Sequence, residues 1–149
     1  WLVKADPSDI SVDDLRNRPN GTIAWYGIRN YQSRNFMRDQ MSVGDQILFY
    51  HSSCKQPGIV GTAEVCKLAY PDSTQFDPNS KYFDLKATSE RPRWFNVDIK
   101  FVSKCQLVSI KELRSIPALE GMRILQKGNR LSITPVDPAE WKHIIGIMQ

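Results

Sequence analysis

The chain has little of what most catalytic and stapled proteins display. Three cysteines, Cys54, Cys66 and Cys105, form an odd set without C-x-x-C spacing, which argues against a disulfide framework and against a zinc knuckle. Two histidines, His51 and His143, are too few for an all-protein transition-metal site, so no metal and no cofactor is expected. No Gly-rich phosphate loop, Ser–His–Asp order or paired-carboxylate motif compels a hydrolase reading. No apolar run approaches the ~18–20 residues of a membrane span, and the opening has no charged-then-apolar signal segment. Internal repeats and low-complexity tracts are absent as well.

What is present is globular composition: 149 residues, 41% hydrophobic and 24% charged, which fits one domain over 1–149. The net charge of +4 is unevenly spread. Residues 81–130 hold 11 of the 20 basic side chains and 5 of the 16 acidic ones. A localised basic surface attracts polyanions by releasing counterions condensed on phosphate, while a solvated face that aids solubility accounts for the same excess.

Patterning gives about five short strands among short helices. Trp1–Lys4 starts as a strand and stops at Asp6-Pro7. Ser11 caps a short helix with acids in its first turn, and Pro19-Asn20-Gly21 ends it. Asn30 caps a second helix over Tyr31–Arg38. In Gln46–Ser52, Ile47, Phe49 and His51 face one way and Leu48, Tyr50 and Ser52 the other. The polar Ser53–Gly58 hairpin loop leads into a strand over Ile59–Leu68, where Gly61 marks a bulge or a close backbone approach. A long irregular stretch, Tyr70–Pro92, precedes an alternating strand from Trp94 to Phe101; loops of that length are functional or mobile. Ser109–Ser115 reads as a helix and Arg130–Thr134 as a strand. The last helix has Asp137 as cap, Pro138 at its first position, Glu140 completing a capping box, and a stripe of Trp141, Ile144, Ile145 and Met148. Without a long βαβ crossover, the fold class is α+β, with a small, strongly bent or pseudo-barrel mixed sheet and flanking short helices.

Two stretches are dense in polar and aromatic residues without surface periodicity: Trp25 to Asn35, and Tyr50 to Gly58. A flat aromatic beside amide and guanidinium donors is what a nucleobase pocket needs. Stacking supplies about 1–3 kcal/mol per base, and amides read the base edge. Arg29 and Arg34 are able to hold phosphates bidentately, and Gly27 and Gly58 let backbone approach a ligand. Each member has a plain structural reading too. Trp25 and Tyr31 are ordinary core aromatics, Arg29, Asn30 and Asn35 satisfy loop backbone, His51 is a hydrogen-bonded strand histidine, and Pro57-Gly58 is a turn.

These stretches also carry a resemblance. Trp1-Leu2-Val3-Lys4-Ala5-Asp6-Pro7 resembles the W-L-M-K-S-E-P opening of the EVE-domain family. Trp25-x-Gly27-Ile28-Arg29-Asn30-Tyr31-Gln32-Ser33-Arg34-Asn35 is similar to its W-D-G-V-R-N-Y-Q-A-R-N signature, and Phe49 to Cys54 with Pro57-Gly58-Ile59 to its F-Y-H-S-x-C-x-x-P-G-I. Ala69-Tyr70-Pro71-Asp72, Trp94 and Leu131-Ser132-Ile133-x-Pro135 follow in the family's order, so the resemblance covers essentially the whole chain. It implies a PUA-like fold related to the YTH and ASCH domains, and a module that reads a modified base in DNA or RNA. By position, Trp25 and Trp94 would be cage walls, with Lys4, Tyr26, Asn30, Tyr31, Asn35, Tyr50, His51, Ser52, Ser53, Cys54, Pro57 and Gly58 around the ligand. Arg29 and Arg34 would form the rim or brace it. Two departures stand out: Tyr26 replaces the family's Asp, and Ala5 its Ser.

Two other functions compete. ASCH-type proteins resemble amidohydrolases acting on acylated nucleosides, and Lys4, Thr62 and Glu64 are available for such chemistry. A protein-interaction domain would instead use the 70–92 loop. The expected partner is nucleic acid rather than a membrane, the expected state a monomer, and the expected compartment the cytoplasm of a bacterium or, in a eukaryote, the nucleus.

Overall fold

In the computed structural model, which describes residues 1–148, six strands hydrogen-bond in the order β2-β5-β4-β3-β1-β6. They are β1 (Leu2–Ala5), β2 (Thr22–Ala24), β3 (Gln46–His51), β4 (Gly58–Pro71), β5 (Phe95–Ser109) and β6 (Ile133–Thr134). β1 runs parallel to β3, and the other neighbours are antiparallel. The sheet is open, with β2 and β6 at its edges. Short helices pack around it: α1 (Val12–Asn17), α2 (Tyr31–Asn35), α3 (Ile110–Arg114) and α4 (Pro138–Met148).

The central strand β3 is buried on both faces, and its alternation sorts two cores. Ile47 and Phe49 join Val3, Leu15, Met37 and Ile99 on one side. Leu48 and Tyr50 join Leu2, Ile59, Leu113, Met122 and Ile144 on the other. Burying a Leu- or Phe-sized side chain contributes roughly 1.5–3 kcal/mol, so both layers hold the sheet together.

Local signals in the sequence fix several termini. Ser11 accepts from the Asp14 N–H while the Asp14 carboxylate accepts from the Ser11 N–H, a complete capping box. Asn30 caps α2, which continues into a π-helical turn over Phe36–Gln40. Ser109 caps α3, and the Glu140 carboxylate accepts from the Asp137 N–H at the start of α4.

Four strands differ from the sequence reading. β4 and β5 are 14 and 15 residues long, because four register shifts break the period-two pattern while pairing continues. One shift lies between Ile59 and Gly61, where the bulge was expected. β2 is three residues, too short to show a period, and β6 is two residues rather than five.

Candidate functional site

Where β2 ends, the chain leaves the sheet and builds a cleft. The Trp25 N–H still donates to the Val97 carbonyl at 2.8 Å, but Gly27 adopts φ +85° and the backbone turns away. The cleft encloses about 270 Å³. Trp25, Tyr26, Gly27 and Ile28 line it on this side, Lys4, Ala5 and Asp6 from the end of β1, and Lys81 and Tyr82 from the long loop before β5.

Its aromatic walls differ in role. Trp25 is only 7% exposed and meets Phe49 edge-on at 5.8 Å, so most of the indole belongs to the core. Tyr26 is 51% exposed and stands edge-to-face against Tyr82 at 5.9 Å. The Tyr82 ring lies against bare backbone at Gly27, where a Cβ would come within 2.7 Å of its Cζ. The Lys81 ammonium sits 5.1 Å from the same ring. Lys4, Arg18 and Lys81 supply positive charge, and burial lowers the Lys4 pKa from its ordinary value. Asp6 is engaged by the Ser8 N–H and hydroxyl, which hold its carboxylate below the usual range.

The wall is fixed by an ion pair between partly exposed Arg29 and buried Asp72. Arg29 spends its five N–H donors inside the chain, on the carbonyls of Tyr82 (twice) and Ile28, the Asp72 carboxylate and the Thr74 hydroxyl. Asp72 is fully buried. Burial alone would raise its pKa, but donors from the Gly27 N–H, the Thr74 hydroxyl and N–H, and Arg29 hold it below the usual carboxylate range. Arg29 is therefore a brace, with no donor left for a phosphate. Buried Gln75 bonds the Asp72 and Trp94 carbonyls and accepts from the Arg93 and Trp94 N–H groups. The irregular stretch before β5 is thus tied down as the far wall of the cleft.

Behind that wall lies an arginine–aromatic stack. Trp94 stacks on Tyr31 at 4.8 Å and donates its indole N–H to Asp84 at 2.7 Å. Arg29 lies 5.4 Å from the Tyr82 ring and 5.3 Å from the Trp94 ring, between the cleft wall and the stack. Trp94 is therefore not among the residues lining the cleft. Asn30 gives its side-chain oxygen to the Ser33 N–H as the α2 cap. Arg34 donates to the Asn35 side chain and the Arg93 carbonyl. Burial, then Arg38 and Arg93, lower its pKa from the ordinary guanidinium value.

The second motif sits elsewhere. Tyr50 lies in the opposite core, and burial raises its phenol pKa. His51 Nε2 accepts from the Val12 N–H at 3.1 Å, closing an orphan donor at the start of α1, and burial lowers its pKa. The Ser52 N–H donates to the Ala5 carbonyl, Ser53 turns the hairpin at φ +56°, and the Pro57 carbonyl receives the Ile110 N–H. A Cβ at Gly58 would come within 2.3 Å of the Val108 carbonyl, so this glycine serves strand contact. His51 and Cys54 line a separate, shallower depression. The cleft brings together Lys4, Trp25 and Tyr26 of the expected residues; the 50–58 hairpin contributes none.

The amidohydrolase trio is also dispersed. Register pairs Lys4 with Tyr50, Leu48 with Thr62 and Gln46 with Glu64. Glu64 thus lies two strands across and four residues along from Lys4, roughly 16 Å at standard strand spacings. Thr62 bonds the Ser103 hydroxyl at 2.7 Å and, like Glu64, lines a groove under α4. Among the described residues, no group of three His, Cys, Asp or Glu side chains is placed to hold a metal. No helix among them is long and apolar enough to cross a membrane.

Tyr82 and Arg18 escaped the sequence reading, and Lys81 entered it only as part of the basic stretch 81–130, not as a residue of the site. They lie in irregular segments whose position depends on tertiary contacts, and the sole local signal was the Pro71-Asp72 pair that introduces the Arg29 partner.

Comparisons with known proteins agree with this architecture. The chain is 36% identical to chicken (Gallus gallus) thymocyte nuclear protein 1, an alignment spanning 99% of this chain and 67% of that protein. It superposes on a crystal structure from Pseudomonas putida with TM-score 0.95 and 42% identity, covering 100% of this chain and 99% of that one. Human THYN1, crystallised in complex with 5-methylcytosine-containing DNA, matches with TM-score 0.94 and 35% identity, covering 100% and 96%. An ASCH protein from Zymomonas mobilis shares the fold alone, with TM-score 0.57 and 9% identity over 99% of this chain and 97% of that one. The open mixed sheet with short helices is the PUA-like α+β arrangement of the THYN1 structures. The family profile of the EVE domain matches residues 1–147, and the chain is a member of the EVE-domain family.

Proposed function

We propose that the protein binds nucleic acid and reads a modified base held in the cleft of Trp25, Tyr26 and Tyr82. The observation that carries this reading is the cleft itself: about 270 Å³ with three aromatic side chains on its lining, close to the lower end of small-ligand sites. That volume suits one base. Stacking on the half-exposed Tyr26 ring, with the perpendicular Tyr82 ring as a side wall, supplies affinity, and Lys4, Arg18 and Lys81 neutralise flanking phosphates. The Arg29–Asp72 pair holds Tyr82 in place before the ligand arrives, which lowers the entropy cost of binding. The human relative's complex with 5-methylcytosine-containing DNA supports the choice of ligand class.

The test is anisotropy binding to short oligonucleotides that carry 5-methylcytosine or cytosine at one position, at fixed moderate salt. Trp25→Ala would hollow the core, at a cost of about 3–5 kcal/mol, so it is a poor probe of the cleft. Tyr26→Ser removes a half-exposed ring and leaves the fold intact. We expect preference for the modified oligonucleotide and a loss of about tenfold in Tyr26→Ser. Equal binding of modified and unmodified oligonucleotides by the wild-type protein would overturn the reading.

A further inference from the structure

Tyr82 belongs to a loop whose next residues present apolar side chains to water. Leu85 is 86% exposed and Phe83 39% exposed. A single exposed leucine is unremarkable in itself. This one sits on a rigid mount. The Asp84 N–H donates to the Gln75 carbonyl at 3.0 Å, and the Lys86 and Ala87 N–H groups bond back to Asp84 at 2.9 and 3.1 Å. The Asp84 carboxylate in turn receives the Trp94 indole and Arg93. Leu85 is thus held out from a fixed turn. It lies three residues from a wall of the cleft, a backbone separation of at most about 11 Å by chain reach. Lys81 and Lys86 flank it with positive charge.

We propose that the protein takes its base from duplex DNA, and that Leu85, with Phe83 beside it, is the wedge that fills the gap left in the stack. This rests on the base-reading proposal above. A cleft of this size holds a single base with one face against an aromatic ring, which a base stacked on both faces in a duplex cannot satisfy. The base must therefore leave the helix, and extrusion costs stacking and pairing. Apolar side chains that enter a base step, as in DNA-bending proteins, replace part of the lost stacking with their own contacts. A wedge fixed beforehand, on the loop that supplies a wall of the receiving cleft and carries Lys81 and Lys86 in the same short run of chain, is arranged for that role.

The test compares three probes carrying the same 5-methylcytosine: a fully paired duplex, the single strand alone, and a duplex with a mismatch opposite the modified base. Leu85→Ala is measured beside wild type, with thermal unfolding to confirm an unchanged fold, and 2-aminopurine next to the target reports unstacking. We expect Leu85→Ala to lose about tenfold on the paired duplex, less on the mismatched duplex and almost nothing on the single strand, with weaker 2-aminopurine brightening. Equal losses on all three probes, or none, would overturn the wedge. So would wild-type binding to the single strand but not to the duplex, which leaves base reading standing. Absence of any preference for the modified base on all probes would overturn the base-reading proposal and the wedge with it.

Discussion

The 25–35 and 49–59 stretches are alike as sequence, each combining aromatics, closely spaced polar side chains and one glycine, and the fold uses them differently. In the first, Trp25, Tyr26 and Gly27 open onto the cleft, and Arg29 spends four of its five donors on the far wall and the fifth on the Ile28 carbonyl. In the second, alternate residues enter opposite cores, His51 caps α1, and Gly58 admits the Val108 carbonyl. Polar density therefore marks a place where backbone must be satisfied under unusual constraint. Whether that place also meets solvent in a concave site is a separate matter, decided by what packs across from it.

Substitutions that separate the two roles sharpen this contrast. The largest effect belongs to Arg29→Met, which leaves the Asp72 carboxylate buried without its cation; a loss of about 3 kcal/mol in urea unfolding is expected, together with loss of base preference. Gly27→Ala comes next. The new Cβ meets the Tyr82 ring and the residue stays at positive φ, so about 2 kcal/mol is lost and binding falls as Tyr82 is displaced.

His51 tests the other stretch. Its folded pKa is depressed, so the unfolded chain binds more protons across the window between the folded value and 6.5. Stability is fully present above that window and falls as pH drops through it, because protonation charges a partly buried imidazole and removes the Nε2 acceptor of the Val12 N–H. His51→Gln keeps an acceptor and removes the titration, so urea midpoints for it should stay flat across that window, with oligonucleotide affinity unchanged. An altered affinity would draw the hairpin back into the site. Tyr26→Ser has the smallest stability effect, within about 0.5 kcal/mol, because the ring is half exposed. It leaves urea unfolding unmoved and shows itself in binding alone.

Much of the fold was legible. Ser11, Asn30 and Ser109 announce helix starts through side chains that accept from the backbone N–H three residues on, and Glu140 marks the start of α4 by reaching back to the Asp137 N–H. The alternation in β3 sorts its residues into the right cores. The bulged halves of β4 and β5 were hidden because each register shift inverts the face pattern. The site was legible on one side only. Trp25, Tyr26 and Lys4 stood out as residues, whereas Tyr82 and Lys81 lie in a loop without periodicity.

The sequence by itself determined the caps, the alternating strands, the family motifs and the basic excess of residues 81–130, all of which depend on residue type and short spacing. Only the tertiary structure decided that Arg29 is a brace rather than a phosphate ligand, that Trp94 backs the wall instead of lining the cleft, and that the 50–58 hairpin lies apart from it. Those outcomes depend on partners more than forty residues away, such as Asp72 for Arg29, and contacts at that separation leave no local period in the chain.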